Sequence, residues 1–479
     1  MRLPLNKHIG RLDRFMASLY EPVSAQSLAV LRMAFGLIMA YDVWRFFHYD
    51  RIHRYYVEPE FWFTYYGFGW VKPLPDPYIH YAWFLVGVLA VLVAAGLFYR
   101  MAIVGFTLLF SYFFLLHKAQ YLNHFYMVIL FAGLLCLLPA HRAYPLDAIL
   151  FPRRRSETVP RWSVWALRTQ TEIILIYAGL VKITEDWLKL EPLGMWLRRH
   201  AEDIPFGQLL YYAWVIALGA YGTIALHLVG APMLLFRRTR LPTFIVYCCF
   251  HLINAFFFNI GVFPWLTIAV TTIFFAPNWP QLFARWLLER FQALPPPPEP
   301  VHPPAPQPTW ATRGLVGVLV AWMALQVLIP LRLALYPGEV RWAGEGHRFA
   351  WRMRMYDRKA RGYFEVVDPQ SGERWDVEPT EYLTDRQARI MLTRPDMILQ
   401  FAHYLESVAA GMGYGDVKVY AHVEMSLNGR EYQPLVEADV DLTTRHTSPW
   451  RAADYITELT TPFTHWIERQ SASYDGPQG

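Results

Sequence analysis

Over the first two thirds of the chain, apolar residues fall in long runs rather than in the 3.6- or 2-residue rhythm of soluble elements. A bilayer crossing needs about 20 mostly apolar residues. Nine stretches approach that length: roughly 27–44, 79–98, 101–117, 123–140, 163–183, 207–235, 242–258, 260–276 and 311–335. The first begins near Leu28, is long and lacks a small-residue cleavage pattern, so it is expected to remain as a span. Prolines crowd residues 295–308, a composition that favours extended chain over a packed core. The pattern changes beyond Gly338. Tyr363–Val367 and Trp375–Val377 read as short strands around a turn at Asp368, Pro369 and Gly372. Pro395 suits the first position of a helix running to about Ala410, with Gly411 as its stop. Val417, Val419, Ala421, Val423 and Met425 alternate as on a half-buried strand. Asn428-Gly429 predicts a tight hairpin turn. The expected architecture is an α-helical polytopic membrane bundle of about nine spans followed by a C-terminal mixed α/β extramembrane domain. Its parts are eight spans in 1–294, a linker at 295–310, the last span in 311–337 and the domain at 338–479.

Composition agrees: 54% of the 479 residues are hydrophobic and 17% charged, against about 25% charged in soluble domains. Basic residues then set an orientation. Arg2, Lys7, Arg11 and Arg14 precede the first run, and Arg100 lies between the second and third. Arg142, Arg153–Arg155 and Arg161 follow the fourth, Arg237, Arg238 and Arg240 the sixth, and Arg285 and Arg290 the eighth. With nine alternating spans these loops share one side. The positive-inside rule makes that side the cytoplasm and leaves the C-terminal domain extracytoplasmic. The net charge of +5 is explained by these loops, with no nucleic-acid partner implied. Cys136, Cys248 and Cys249 all lie inside apolar runs and read as small buried hydrophobes, without zinc or disulfide spacing. Phosphate-loop, dinucleotide, zinc-protease and nucleophile-elbow motifs are absent.

Polar residues inside apolar runs carry the candidate chemistry, because ionisable groups there are costly. Lys182 closes the run Ile173–Val181. Apolar surroundings favour its uncharged form, which suits a general base. The alternative is a lysine snorkelling to the interface and pairing with Glu185 or Asp186. Asn123 and His124 open the fourth run after the polar break His117–Gln120. They are expected on the same side of the membrane as Lys182, as hydrogen-bond donors or as satisfied caps. His251 and Asn254 lie three apart on one helix face, and Asn259, Gly261 and Pro264 interrupt the helix beyond them. Irregular backbone at that depth lines a cavity or marks a kinked pair of helices. Arg32, Asp42 and Glu172 are expected to pair across the bundle. His347, His403 and His422 show no metal-ligand spacing.

Several stretches together resemble the vitamin K-dependent γ-glutamyl carboxylases and their bacterial relatives, whose membrane part is called the horizontally transferred transmembrane domain. The matching stretches are Ser27–Arg32, Leu122-Asn123-His124, Ala178–Lys182 with Asp186-Trp187, and Phe250-His251 through Asn254. Ile260-Gly261 with Phe263, Glu345–Met353, Arg394–Met397 and Ser448–Arg451 complete the series. Their order, from about residue 20 to about 455, carries the likeness. The resemblance implies nine spans, an exposed C-terminal domain and a bacterial inner-membrane location. It also implies coupled chemistry: a reduced naphthoquinone, vitamin K or menaquinol, is oxygenated by O2 to its epoxide while peptide glutamate gains CO2. The γ-hydrogen of glutamate is too weakly acidic for any side chain, and the family generates a strong base from the oxygenated quinone. By this likeness Lys182 would start the sequence as base, with Asn123 and His124 on quinone oxygens. His251, Asn254 and Asn259 would complete the quinone site. Met353, Arg389 and Arg394 would hold the substrate glutamate. Animal members carry two lysines in a row where this chain has Val181-Lys182. Two alternatives remain beside this reading: a quinone-oxygenating membrane enzyme without a peptide acceptor, and a non-catalytic membrane module.

Overall fold

The structure, a computed structural model, describes residues 10, 14–144, 146–147, 156–258, 260–290, 309–446 and 448–463. The proline-rich linker and Asn259 lie outside the described residues. Six helices among those described are long and apolar enough to cross a bilayer: Gln26–His48, Tyr78–Ala95, Tyr99–Leu116, Ala213–Met233, Arg240–Phe257 and Trp310–Leu335. The other three apolar runs are helical too. Asn123–Leu137 and Phe263–Phe274 are shorter, and Arg161–Leu180 carries Arg168, Gln170 and Glu172 along its length.

The bundle closes around aromatic side chains. Phe46 and Trp83 stand 4.4 Å apart between ring centroids, and Phe113 meets Trp83 edge-on at 4.4 Å. The first two helices approach at Gly36, where any Cβ would lie 2.5 Å from the Ala90 oxygen and the Ala94 nitrogen. A small residue is therefore required at that crossing. Leu108, Leu218, Phe256 and Val320 project outward, exposed, as lipid-facing residues do. A short antiparallel ribbon of β1 (Pro22–Ser24) and β2 (Thr158–Pro160) ties the first helix to the fifth run.

The polar residues inside the runs are not paired across the bundle in the expected way. Asp42 meets Arg45 on its own helix at 3.2 Å. Arg32 donates to the main-chain oxygen of Tyr144 at 3.0 Å. The Oε1 atom of Glu172 is buried with no hydrogen-bond partner. Spacing along one helix decides the first case, since residues three apart share a face.

The C-terminal region builds an antiparallel sheet in the order β4-β3-β5-β6, from β3 (Arg358–Val367), β4 (Arg374–Val377), β5 (Lys418–Leu427) and β6 (Gln433–Pro434). The alternating residues Val419, Ala421, Val423 and Met425 are buried in one core with Met397, Phe401 and Leu405 of the helix Pro395–Gly411. Asn428 and Gly429 both have positive φ, 52° and 76°, as the turn chemistry predicts.

Two exchanges lock domain and bundle together. Phe63 and Ala119, from loops between membrane helices, belong to the core of the C-terminal domain. In return, the segment 344–354 dips into the bundle, where Trp351 is fully buried 5.1 Å from the Tyr126 ring. That segment is tightly wound. Gly344, Gly346, Phe349, Trp351 and Arg354 all have φ between 48° and 73°, and non-glycine residues hold such angles only when their surroundings impose them.

Candidate active site

Lys182 follows the helix Arg161–Leu180 by two residues. Its Nζ donates to the main-chain oxygen of Met353 at 3.0 Å and lies 4.9 Å from the Trp187 ring centroid. The residue is 6% exposed. The carboxylates nearest in sequence are engaged elsewhere. Glu185 takes Lys189 at 2.6 Å. Asp186 receives Arg430 at 2.7 and 2.8 Å, Asn428 at 2.6 Å and Arg341 at 3.2 Å. Lys182 therefore does not make the expected pair with either acid.

The amine faces a cavity of about 510 Å³ at the end of the bundle that carries the C-terminal domain. Its walls include Trp187, Trp196, His227, His251 and Asn254, together with Asn123, His124, Asp42, Arg45 and Arg51, and Arg352, Met353 and Arg354 form the roof. The tight bend at 344–354 thus aims main-chain carbonyls at the membrane residues. Asn123 Nδ2 donates to the Arg352 oxygen at 3.2 Å, and its Oδ1 accepts from the Tyr121 hydroxyl at 3.0 Å. Tyr121 in turn accepts the Phe349 N–H at 2.6 Å. His251 is buried with neither ring nitrogen partnered. Asn254 gives its amide to the Phe250 oxygen at 2.9 Å. Gly261 has φ +60°, and a Cβ there would stand 3.2 Å from Arg45 Nη1 and 3.5 Å from His124 Nε2. The glycine lets the chain pass directly beside these two side chains.

The structure thus brings Lys182, Asn123, His124, His251, Asn254 and Met353 to one cavity. It does not bring Arg389 or Arg394 there. Arg389 is exposed on the helix Asp385–Met391. Arg394 precedes Pro395, with its guanidinium 5.7 Å from the Tyr356 ring centroid. Arg394 and its neighbours act on that phenol: burial raises the Tyr356 hydroxyl, but Arg394, Arg358 and Arg352 outweigh it and hold it below its usual value. The cationic wall of the cavity comes instead from Arg45, Arg51, Arg352, Arg354 and Arg386, against the single carboxylate of Asp42. Arg386 is steadied by Gln120 Oε1 at 3.2 Å and by the Tyr55 ring at 4.9 Å. Burial pulls Arg352 and Arg386 below the usual guanidinium value. Of these residues only Arg352 lies in a stretch that carries the family likeness. Arg386 sits three residues before the expected Arg389, near the start of the same short helix, where it reaches Gln120 and the Tyr55 ring, whereas Arg389 is exposed.

A membrane bundle whose cavity is roofed by a docked mixed α/β domain defines a two-part membrane protein with one composite site. Residues 20–279 match the HTTM domain, and residues 311–462 match the vitamin K-dependent gamma-carboxylase lumenal domain. The chain belongs to the vitamin K-dependent γ-carboxylase family. Its two domains mark it as a carboxylase-like membrane enzyme. No solved structure matches the chain.

Proposed function

We propose that this protein is a nine-span membrane carboxylase that couples oxygenation of a reduced naphthoquinone, vitamin K or menaquinol, to carboxylation of a peptide glutamate. One observation carries the reading: the Lys182 amine is buried at the cavity, bound to a neutral carbonyl and, among the described residues, without a carboxylate partner.

The residues present fit such a quinone. A cavity of about 510 Å³ lies within the usual range for small-molecule sites, about 300–1,000 Å³. Trp187, Trp196, Phe250 and Phe258 supply flat apolar walls. The two unpartnered nitrogens of buried His251 await a polar group, since a buried polar atom left unpaired is costly. When bound, the hydroquinone supplies with O2 the strong base that no side chain can be.

The chain's own residues do the rest. Lys182 gives one N–H to Met353 and so keeps its lone pair available to take a proton at Nζ from a hydroxyl held beside it. His124 and Asn123 face the cavity from the start of their helix, where they stabilise negative charge at a bound oxygen. The arginine wall takes the substrate carboxylate by forked contacts. Residues 352–354 bring the C-terminal region to the cavity wall, so a peptide held by that domain would reach the cavity from its side.

The test is purified protein with reduced naphthoquinone, bicarbonate and a glutamate peptide. Wild type is expected to yield both epoxide and carboxylated peptide, and Lys182→Ala neither. Epoxide without carboxylated peptide would reduce the function to quinone oxygenation. Full turnover by the variant would remove Lys182 as base.

A further inference from the structure

A second cavity of about 730 Å³ lies between the bundle and the C-terminal domain, and it shares no lining residue with the first. Its membrane side is apolar and aromatic: Tyr65, Tyr66 and Phe68 from the loop before the second membrane helix, and Leu115 from the end of the third. The last span contributes Arg332 and Tyr336 where it leaves the bundle. Charge lines both sides. Lys118 and Arg332 from the bundle and Arg348, Arg445 and Arg451 from the domain stand against Glu345, Asp396 and Asp454, five cations to three anions.

All three acids are already engaged. Asp396 Oδ2 takes Lys118 at 2.6 Å and Arg348 at 2.8 Å. Asp454 takes Arg445 at 3.1 Å. Glu345 accepts the Ala453 N–H at 2.9 Å. The cations are not used up. Among the described residues no carboxylate pairs with Arg332 or Arg451, and the Nε atoms of Arg332, Arg348 and Arg445 have no hydrogen-bond partner. The cavity therefore keeps surplus positive charge and unmade hydrogen bonds, a poor arrangement unless an anion completes it.

The surroundings say which anion. Tyr66 and Trp70 are 65% and 75% exposed, and Leu331 and Leu335, flanking Arg332, are each 54% exposed. Aromatic side chains on this loop and leucines on the last span mark the level where hydrocarbon gives way to headgroups. A cationic pocket at that level presents the charge-assisted donors that a phosphate headgroup takes.

We propose that this cavity is a binding site for the phosphate of an anionic phospholipid from the leaflet on the side of the C-terminal domain. Arg332 and Arg451 reach the phosphate, and the acyl chains leave past Tyr66, Phe68 and Leu115. The bound lipid braces the segment 344–349, which lines this cavity and continues as the roof of the other.

The experiment uses full-length protein in phosphatidylcholine nanodiscs with and without phosphatidylglycerol, with retained lipid counted by native mass spectrometry. Phosphatidylglycerol is expected to stay bound to wild type, to Lys182→Ala and to the surface control Arg361→Gln. Retention is expected to fall about tenfold in Arg332→Gln/Arg451→Gln, with a smaller loss in Arg451→Gln alone, from lost charge-assisted bonds. Unchanged retention in both variants, or equal retention of phosphatidylcholine, overturns the site. Tight binding of inorganic phosphate to lipid-free protein in detergent assigns the cavity to a free anion instead. Displacement of the lipid by a glutamate-rich peptide assigns it to the peptide.

Discussion

Lys182 and Met353 are joined by a 3.0 Å hydrogen bond from a membrane-bundle amine to a main-chain carbonyl of the C-terminal region. Asn123 makes the parallel contact to Arg352 at 3.2 Å. The reactive corner of the cavity is therefore assembled by the docking of the two parts, and neither part holds it alone.

The amine itself is the first point of test. Replacing Lys182 by Ala removes the proton acceptor and one hydrogen bond but leaves the buried framework. Activity is expected to fall about 10² to 10⁴-fold, the usual worth of a positioned acid–base group. Lys182→Arg is expected to be as inactive, because a guanidinium stays protonated and cannot act as a base. Single-turnover rates and a melting curve check both. Activity in the arginine variant above about a tenth of wild type would exclude the base role, by the same measure.

Gly261 gives a second test that substitutes no charged residue. A methyl at this position must adopt φ +60° and crowds the Arg45 guanidinium at 3.2 Å, while His124 at 3.5 Å stays at ordinary contact distance. Gly261→Ala is expected to cost about 1 kcal/mol or more in stability from strain and to impair turnover more than Gly36→Ala impairs it per degree of lost Tm. Measuring kcat and Tm for both variants separates a local effect on the cavity from general loosening of the bundle.

The bundle and the domain were readable from the chain for different reasons. Apolar runs announce helices because a bilayer leaves the backbone no other partner, and all nine runs are helical. The strands, the helix at Pro395 and the turn at Asn428-Gly429 followed from alternation, proline placement and positive φ. Lys182, Asn123, His124, His251 and Asn254 stood out because polar groups in apolar runs are conspicuous. The arginines of the cavity did not stand out. Arg51, Arg354 and Arg386 lie in ordinary polar stretches, and only the fold shows which side of each element faces inward. Asp42 and Arg45 lie one turn apart on one helix, so their ion pair was within reach of helix geometry. The second cavity has no sequence signature, since its walls come from six separate stretches of the chain.

Asp186 is the hinge pin of domain docking. It sits four residues beyond Lys182, and its carboxylate, fully buried, receives Arg430, Asn428 and Arg341. Asp186→Asn keeps the shape but leaves Arg430 without its counter-charge. Removing one partner of a buried pair typically costs about 3–5 kcal/mol. The expected result is a lower Tm and faster proteolysis between the bundle and the domain, with loss of activity because Met353 no longer holds Lys182. A variant as protease-resistant as wild type would show that docking rests on the apolar exchange of Phe63 and Trp351 instead.

The same docking is expected to be acid-labile, and two carboxyls decide where. Burial alone raises Asp396, but Arg348 and Lys118 outweigh it and hold the carboxyl well below its ordinary value of 3.8. Burial likewise raises Asp186, and Arg430, Arg341 and Asn428 bring it net below 3.8. A carboxyl depressed in the folded state contributes stability that is fully present above its unfolded value. That stability is lost as pH falls through the folded value, because the unfolded chain binds protons first. Docking is therefore expected to be flat from neutrality down to about pH 5 and to weaken progressively below about pH 4. Lys118 does not blur this window, since burial, opposed by Asp396, lowers it only to about 8. Tryptophan fluorescence and pulse proteolysis across the titration report the transition. Asp396→Asn and Asp186→Asn should each flatten it, having already given up the charge that acid removes. A midpoint above about pH 5, or one that neither substitution alters, would place the acid sensitivity on other groups.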